Sequence, residues 1–570
     1  MNKPITPQQN TMTGAEAVVE LLKLHGVEQI FGLCGDTSLP FYDALYRLDH
    51  GMSHILTRDE RHACYMADGY ARVTHKVGVC EGPSGGGATY ILPGLVEAGE
   101  SSIPVFAITT DVAVPSAGRF PLTELDQEAL MKPLTKWNKV ANTAQGLPTN
   151  IRSAFRAMTT GTPGSAHLGL PFDVQKAAVD PSDVWAQEAL GSYPAWPAAP
   201  DPKEVERFVG ALMTAENPII ICGGGIIIAQ AEAELQRLAE RLDLVIATTV
   251  SGQGSLSELH PNCLGVVGSN GGVLATREIV QEADLIVFIG CRAGSVTTER
   301  WRYPQSGTKV LHIDSNPIVI SANYHTDVAL VSDARLALSS INAALDADPQ
   351  KKVGFGGAAR VAKAVEAKFA RFNSLAQSDE TPIRPECVVA KLNALLPDDA
   401  IIVADPGTPC PYFSAYFRLA RSGRHFFSNR AHGALGYSLA GSMGAQVGRP
   451  NAKVVSVMGD GSFGFSVGEL ETVVRLNLPI TFIVFSNAVY GWIKAGQKTG
   501  FDERYFSVDF SRTDHARVAE AYGVRAFSVM HPGELKGALR QAIAHDGPTL
   551  VDVISQPLQE ANAPVSEWIA

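Results

Sequence analysis

A chain of 570 residues, 45% hydrophobic and 18% charged, has the composition of a folded globular protein with more than one domain. Its formal net charge is −11 and it carries no basic block, which argues against nucleic acid and anionic membrane surfaces as partners. The eight cysteines form no CxxC pair, the polar stretch MNKPITPQQNTMTG holds no apolar signal region and no stretch reaches the length of a membrane span, so free, buried thiols in a reducing, cytoplasmic setting are expected.

Residues 12–185 alternate helix and strand signals. GAEAVVELLKLHGV reads as an amphipathic helix and QIFGLCG as a strand with a glycine turn. SHILTRDE is a strand that runs out into charge, and RHACYMADGYARVTH is helical, with Ala63, Ala67 and Tyr70 on one face. VGVCEG and PVFAITTD are further strands, the first leading into the glycine-rich PSGGGATY. Repeated strand–helix units predict a doubly wound parallel sheet. The Pro- and Ala-rich stretch 186–203 reads as a linker. A second α/β unit, 204–345, contains the buried strands PIIICGGGI, DLVIATTV, DLIVFIGCR and KVLHIDSN. A mixed, polar connection with a helix around Val361–Ala376 leads to a third α/β unit, 375–560, and the tail from Gln556 onward has no assignable pattern. The expected fold class is therefore α/β, with three doubly wound parallel-sheet domains.

The chemistry concentrates between Val454 and Ile493. An apolar run, Val454–Met458, ends in Gly459-Asp460-Gly461-Ser462. A helical segment follows, and a second apolar run, Ile480–Phe485, ends in Ser486-Asn487. Asp460 and Asn487 thus stand at the C-terminal ends of two parallel strands, which face one crevice in an open α/β sheet. Glycines permit close backbone approach, a helix N-terminus favours a phosphate, and Asp and Asn offer hard oxygen ligands to Mg²⁺. The parts suit a diphosphate bridged to the protein by a divalent cation. GDGSFG also fits the G-x-G-x-x-G dinucleotide fingerprint, but the unit after it ends on Asn487 rather than on the acid that a ribose requires. Upstream, Glu60 ends a strand and opens a helix. Two readings stand: an acid favoured by the first helical turn, or a proton-sharing carboxylate in an apolar site. His62, on another face of the helix, is assigned a surface or packing role.

Together these residues resemble the thiamine diphosphate enzymes, in their acetolactate synthase-like branch of 2-oxo acid decarboxylases and carboligases. The Asp460–Asn487 stretch is similar to that family's cofactor motif. Glu60, Ala63, Ala67, Asp68, Gly69, Tyr70, Ala71 and Arg72 match the pattern around its activating glutamate. The resemblance implies that Glu60 hydrogen-bonds the aminopyrimidine ring of the cofactor, and that Asp460, Asn487 and the backbone carbonyl of Val489 hold Mg²⁺. It implies cofactor contacts from Gly85 in the loop Pro83–Thr89, where Gly86 and Tyr90 depart from the family's Pro and Asn. Further contacts are implied for Gly407, Thr408, Gly433, Gly459, Gly461, Ser462, Tyr490, Gly491, Trp492 and Ile493, with Leu435 wedged beneath the cofactor.

In the middle unit, Cys222–Gly225, Gly290-Cys291-Arg292 and His312-Ile313-Asp314 stand where the acetolactate synthase branch lines a flavin (FAD) site. The oxalyl-CoA decarboxylases place an adenine nucleotide there instead, and the glycine pattern does not separate the two. The implied activity is decarboxylation of a 2-oxo acid such as pyruvate, followed by transfer to a carbonyl acceptor or by protonation. A lyase or decarboxylase of oxalyl- or 2-hydroxyacyl-CoA is the alternative, and a non-catalytic regulatory protein on the same fold a further one. The family builds its site from two copies, implying a homodimer or homotetramer. Substrate choice falls to residues that depart from the branch, Gly35-Asp36-Thr37 and Leu122-Thr123-Glu124. Lys494 and Gln497 face either the substrate or solvent.

Overall fold

The computed structural model describes residues 11–348, 354–561 and 563–568. Of the predicted loop KKVGFGG, 351–353 lie outside the described residues. The chain divides into two compact units, Met1–Trp196 and Pro197–Ala570.

The first unit contains β1 (Met12–Thr13), β2 (Gln29–Gly32), β3 (Ser53–Leu56), β4 (Gly78–Gly82), β5 (Val105–Asp111), β6 (Trp137–Val140), β7 (Ala166–Pro171) and β8 (Ala178–Val179). β1 and β8 form a short antiparallel ribbon. The other six make one parallel sheet in the order β3-β2-β4-β5-β7-β6. The order reverses between β2 and β4, and a ligand crevice of such a sheet opens outside the strand ends at that point. The helix Glu60–Thr74 follows β3. It is buried almost all round rather than on one face, because Gly78 lets β4 approach: a Cβ there would collide with the carbonyl of Ala67. His62, 3% exposed, is accordingly a core residue.

The second unit holds two more parallel sheets of six strands. The middle one comprises β9 (Pro218–Cys222), β10 (Val245–Thr248), β11 (Cys263–Val266), β12 (Leu285–Ile289), β13 (Lys309–Asp314) and β14 (Val328–Val331), ordered β11-β10-β9-β12-β13-β14. The last comprises β15 (Ile401–Ala404), β16 (Phe426–Ser428), β17 (Val454–Gly459), β18 (Thr481–Ser486), β19 (Arg525–Val529) and β20 (Thr549–Ile554), ordered β16-β15-β17-β18-β20-β19. The central strands β9, β12 and β18 are buried at every residue, which is why they read as unbroken apolar runs. The connecting helix is longer than predicted, Gly357–Ala376. Its Val361 and Ala364 join the core of the middle sheet, while Phe372 and Ala376 join that of the last sheet. That shared helix, with backbone bonds such as Gly423 N–H to the Gly254 carbonyl (2.8 Å), makes one unit of two sheets. All eight cysteines are free, and seven are buried as expected; Cys34, in the turn after β2, is exposed.

Candidate active site

The last sheet reverses its order between β15 and β17, and the singled-out residues cluster at the C-terminal ends of β15, β17 and β18. Asp460, 6% exposed, opens the short helix Asp460–Ser466 immediately after β17. Its Oδ1 accepts from Gly461 N–H (2.9 Å). Its Oδ2 accepts from the backbone N–H groups of Asn487 (2.8 Å) and Ala488 (2.6 Å). The two halves of the motif are therefore tied directly together. Burial raises the Asp460 carboxyl above the ordinary aspartate range, and the three N–H bonds oppose this in part.

Both polar atoms of the Asn487 amide are shielded from solvent and without a partner among the described residues. Such a group is costly unless a ligand completes it. Ala488 is held at φ 56°, an unusual backbone for a residue with a Cβ, and this turns the chain sharply after Asn487. Bonds from Tyr490 N–H to the Val508 carbonyl (2.9 Å) and from Phe510 N–H to the Ala488 carbonyl (3.0 Å) pin the turn. The Val489 carbonyl accepts from Gly491 N–H (2.9 Å) and keeps a second lone pair.

Gly407, Gly433 and Gly459 border open space, with nothing within 4 Å of a Cβ built at any of them. Thr408 is 6% exposed, and its Oγ1 would lie 3.5 Å from a Cβ on Gly491. Ser462 is buried, and the Tyr490 ring lies against Gly461. Leu435 is half-buried between two turn glycines, Gly433 and Gly436. Ile493 is 54% exposed in the first turn of the helix Gly491–Gly500. The Trp492 side chain packs on the core and on Trp568 (ring centroids 5.1 Å apart).

An open glycine cradle, a desolvated carboxylate and an unpartnered amide fit a metal-bound diphosphate. The middle sheet contrasts with this. At its own order reversal, a Cβ on Gly223 would collide with the Gly290 carbonyl, and one on Gly225 would stand 2.6 Å from the Gly290 Cα. These glycines serve close packing of two turns against each other. Beside them Arg292, Phe288, His312 and Tyr324 line a small, partly open pocket.

In the first unit, Glu60 opens its helix and is 5% exposed. Burial, then the charges of Asp59 and Glu81, push its carboxyl above the usual range, although its own backbone N–H opposes this. Asp59 takes over the capping, accepting from Arg61 N–H (2.8 Å), so Glu60 is not needed as the cap. Cβ atoms built on Gly82 and Gly87 would approach Glu60 to 3.1 Å and 3.0 Å, so both glycines make room for it. Gly85, at φ 66°, packs against Thr123, itself at φ 69°.

Thr123 and Thr37, far apart in sequence, converge on Ser84: Thr123 Oγ1 is 2.7 Å and Thr37 Oγ1 3.2 Å from its hydroxyl. Asp36 is exposed and accepts from Thr37 N–H (2.9 Å). Lys494 pairs with Asp509 (2.6 Å), and Gln497 bonds the backbone of Phe506 at both its amide atoms. These contacts make the two residues supports of their own helix.

Three buried acids stand behind these residues, and of them sequence reasoning passed over Asp552 and Glu81. Asp405 follows β15 and accepts from Tyr437 N–H (2.9 Å) and Ser438 Oγ (3.1 Å), anchoring the segment that carries Leu435. Burial raises it to about 7. Asp552 accepts from the Ser486 hydroxyl next to Asn487, and the His515 Nδ1 lies 2.9 Å from that hydroxyl. Glu81 sits wholly buried in β4. The signal for Asp552 and Glu81 was a single charge inside an apolar strand.

A glutamate opening a buried helix on one parallel sheet, and a linked Asp–Asn pair beside a glycine cradle on another, are the parts of a thiamine diphosphate-dependent enzyme. Family models agree in all three segments. The N-terminal TPP binding domain of thiamine pyrophosphate enzymes matches residues 12–130, the central domain 205–341 and the C-terminal TPP binding domain 405–553. The chain belongs to the thiamine pyrophosphate enzyme family. It is similar to a probable acetolactate synthase large subunit of Methanococcus aeolicus, at 34% identity covering 96% of this chain and 92% of the relative. Similarity to the probable large subunit of Methanocaldococcus jannaschii is also 34%, over 96% and 93%. The acetolactate synthase isozyme 2 large subunit of Escherichia coli is 31% identical, over 96% of each chain. Among the described residues, no helix is long and apolar enough to cross a membrane.

Proposed function

We propose that this enzyme decarboxylates a 2-oxo acid such as pyruvate and joins the remaining fragment to a second carbonyl compound. The observation that carries the cofactor half of this reading is the pair of bonds from Asn487 and Ala488 N–H to Asp460, beside the unpartnered Asn487 amide. Full-length likeness to acetolactate synthases supports ligation over the CoA-thioester alternative.

Asp460, Asn487 and the Val489 carbonyl would hold Mg²⁺, and the cradle of Gly407, Thr408, Gly433, Gly459, Gly461, Ser462 and Gly491 would take the diphosphate. When bound, thiamine diphosphate supplies a nucleophilic carbon and an electron sink. Glu60 would hold and share a proton with the aminopyrimidine, a task suited to a carboxyl that burial raises above its usual range. Leu435, Tyr490 and Ile493 of the second unit and Gly85 of the first would each contact the cofactor. For the middle sheet, Arg292 at its strand ends would meet the diphosphate of the adenosine diphosphate portion common to FAD and to adenine nucleotides. A homodimer or homotetramer completes the reading. Phe120, 95% exposed, Leu122 and Phe506 offer apolar surface near the candidate residues for a second copy to cover.

The test is turnover of a panel of 2-oxo acids and acyl-CoA esters with products identified by mass spectrometry, in the wild type and in Glu60→Gln. A ligated hydroxy-oxo acid, lost in Glu60→Gln, is expected. Turnover of acyl-CoA esters alone, or undiminished turnover in the variant, refutes the assignment. Nucleotide released on acid denaturation, identified by its absorption, distinguishes FAD from an adenine nucleotide. Light scattering gives the oligomer.

A further inference from the structure

Behind Asn487 the last sheet carries a buried Ser–His–Asp group. Ser486 ends β18, Asp552 lies on the neighbouring β20, and His515 opens the helix His515–Ala521. The three are 3%, 1% and 7% exposed in that order. The Ser486 hydroxyl donates to Asp552 Oδ1, and Asp552 Oδ2 accepts from His515 N–H (3.2 Å). His515 Nδ1 stands 2.9 Å from the Ser486 oxygen. That oxygen gives its one proton to Asp552, so toward His515 it accepts, and Nδ1 carries the hydrogen. A nucleophilic triad is wired differently: its carboxylate holds one imidazole nitrogen while the other nitrogen takes the serine proton. Here carboxylate and imidazole both meet on the hydroxyl and hold it in place.

Asn487 is the next residue along the chain. Its own N–H is bonded to Asp460 Oδ2 (2.8 Å), and the side chain before it is bonded to Asp552 and His515. The His515 ring also meets the Phe463 ring edge-on (centroids 5.4 Å apart), and Phe463 lies on the short helix that Asp460 opens. His515 thus contacts the segments that carry both halves of the Asp–Asn motif. The Asn487 amide gains no hydrogen bond where it stands, since both its polar atoms are buried and unpartnered among the described residues. Its place is set by what holds the chain around it. Mg²⁺ tolerates little departure from octahedral geometry, and a ligand already in place binds it more tightly than one that must first be ordered.

Resting on the reading of Asp460 and Asn487 as metal ligands, we propose that Ser486, His515 and Asp552 are positioning residues for the metal. Together they hold Asn487 in its ligating place before the cation arrives.

Mg²⁺ titration at a fixed concentration of thiamine diphosphate, followed by protein fluorescence, reads affinity in the full-length chain without turnover. Ser486→Ala is expected to lower Mg²⁺ affinity by about 10-fold, the lower end for groups that orient a metal ligand. Asp552→Asn turns one accepting oxygen into a donor and should act in the same direction; it carries the test if Ser486→Ala does not fold. The loss should run through Asn487, so Ser486→Ala added to Asn487→Ala should cost much less affinity than Ser486→Ala alone. A purely structural role would lower the cofactor-free Tm and leave Mg²⁺ affinity unmoved, or lower affinity equally in both backgrounds. Either result overturns the proposal. Unchanged Mg²⁺ affinity in Asn487→Ala sinks the metal reading itself, whereas a loss confined to Asn487→Ala sinks the positioning role alone.

Discussion

Replacing Asp405 by Asn isolates one buried charge and predicts a change in stability with a definite sign. The carboxyl lies wholly inside the last sheet and is raised from 3.8 to about 7, first by loss of solvation and against the bonds from Tyr437, Ser438 and Gly436. Between those two values the folded chain keeps a proton that the unfolded chain has released. Its contribution to stability is therefore full below the unfolded pKa and is lost as pH rises through about 7. From pH 5 to 8 the loss is about 3 kcal/mol, at ~1.4 kcal/mol per pH unit over roughly two units. Asn keeps an acceptor for Tyr437 N–H and cannot ionise. Scanning calorimetry of the cofactor-free protein, wild type and Asp405→Asn, should show a Tm difference that shifts in favour of the variant by about 6 °C between pH 5 and 8, at ~2 °C per kcal/mol for a large unit. A difference independent of pH would refute the reasoning, whatever its size at one pH.

Asn487→Ala should weaken Mg²⁺-supported binding of thiamine diphosphate by about 100-fold or more, read by fluorescence titration. The cofactor-free Tm should hold or rise, because an unpartnered buried amide costs about 1–3 kcal/mol. Gly87→Ala brings a Cβ to 2.5 Å from Pro83 Cδ and 3.0 Å from Glu60 Oε1. Overpacking of this kind costs about 1–3 kcal/mol, so Tm should drop and kcat/KM with it, while Mg²⁺ affinity stays. Lys494→Ala breaks an ion pair whose Asp509 side chain is 60% exposed. It should cost no more than about 1 kcal/mol and leave KM for the 2-oxo acid unchanged; a tenfold rise in KM would instead put Lys494 against the substrate.

The parallel sheets were legible because strands buried on both faces must be apolar throughout, and runs such as Pro218–Cys222 and Val454–Met458 say so without a partner in view. The roles of the glycines were not legible. GGG at Gly223–Gly225 and the glycines at Gly407, Gly433 and Gly459 look alike in one dimension. Only the fold shows the first group pressed on Gly290 and the second facing open space. The same holds for Trp492, whose ring only the fold shows against Trp568. A helix start can be read from local pattern, but the side a ring takes depends on what the distant tail brings to it.

By itself the sequence determined the α/β class, the strand ends and the separation of Asp460 from Asn487, because these follow from local periodicity and turn chemistry. Through the resemblance of Glu60–Arg72 to the family's pattern, it also singled out Glu60. Only the tertiary structure decided that Thr37 and Thr123 meet at Ser84, that one helix serves two cores, and that Glu81 lies dry against Tyr42 and His54. These are contacts between residues remote in the chain. What they do to a proton or a carboxylate depends on burial and on neighbours that no local pattern specifies.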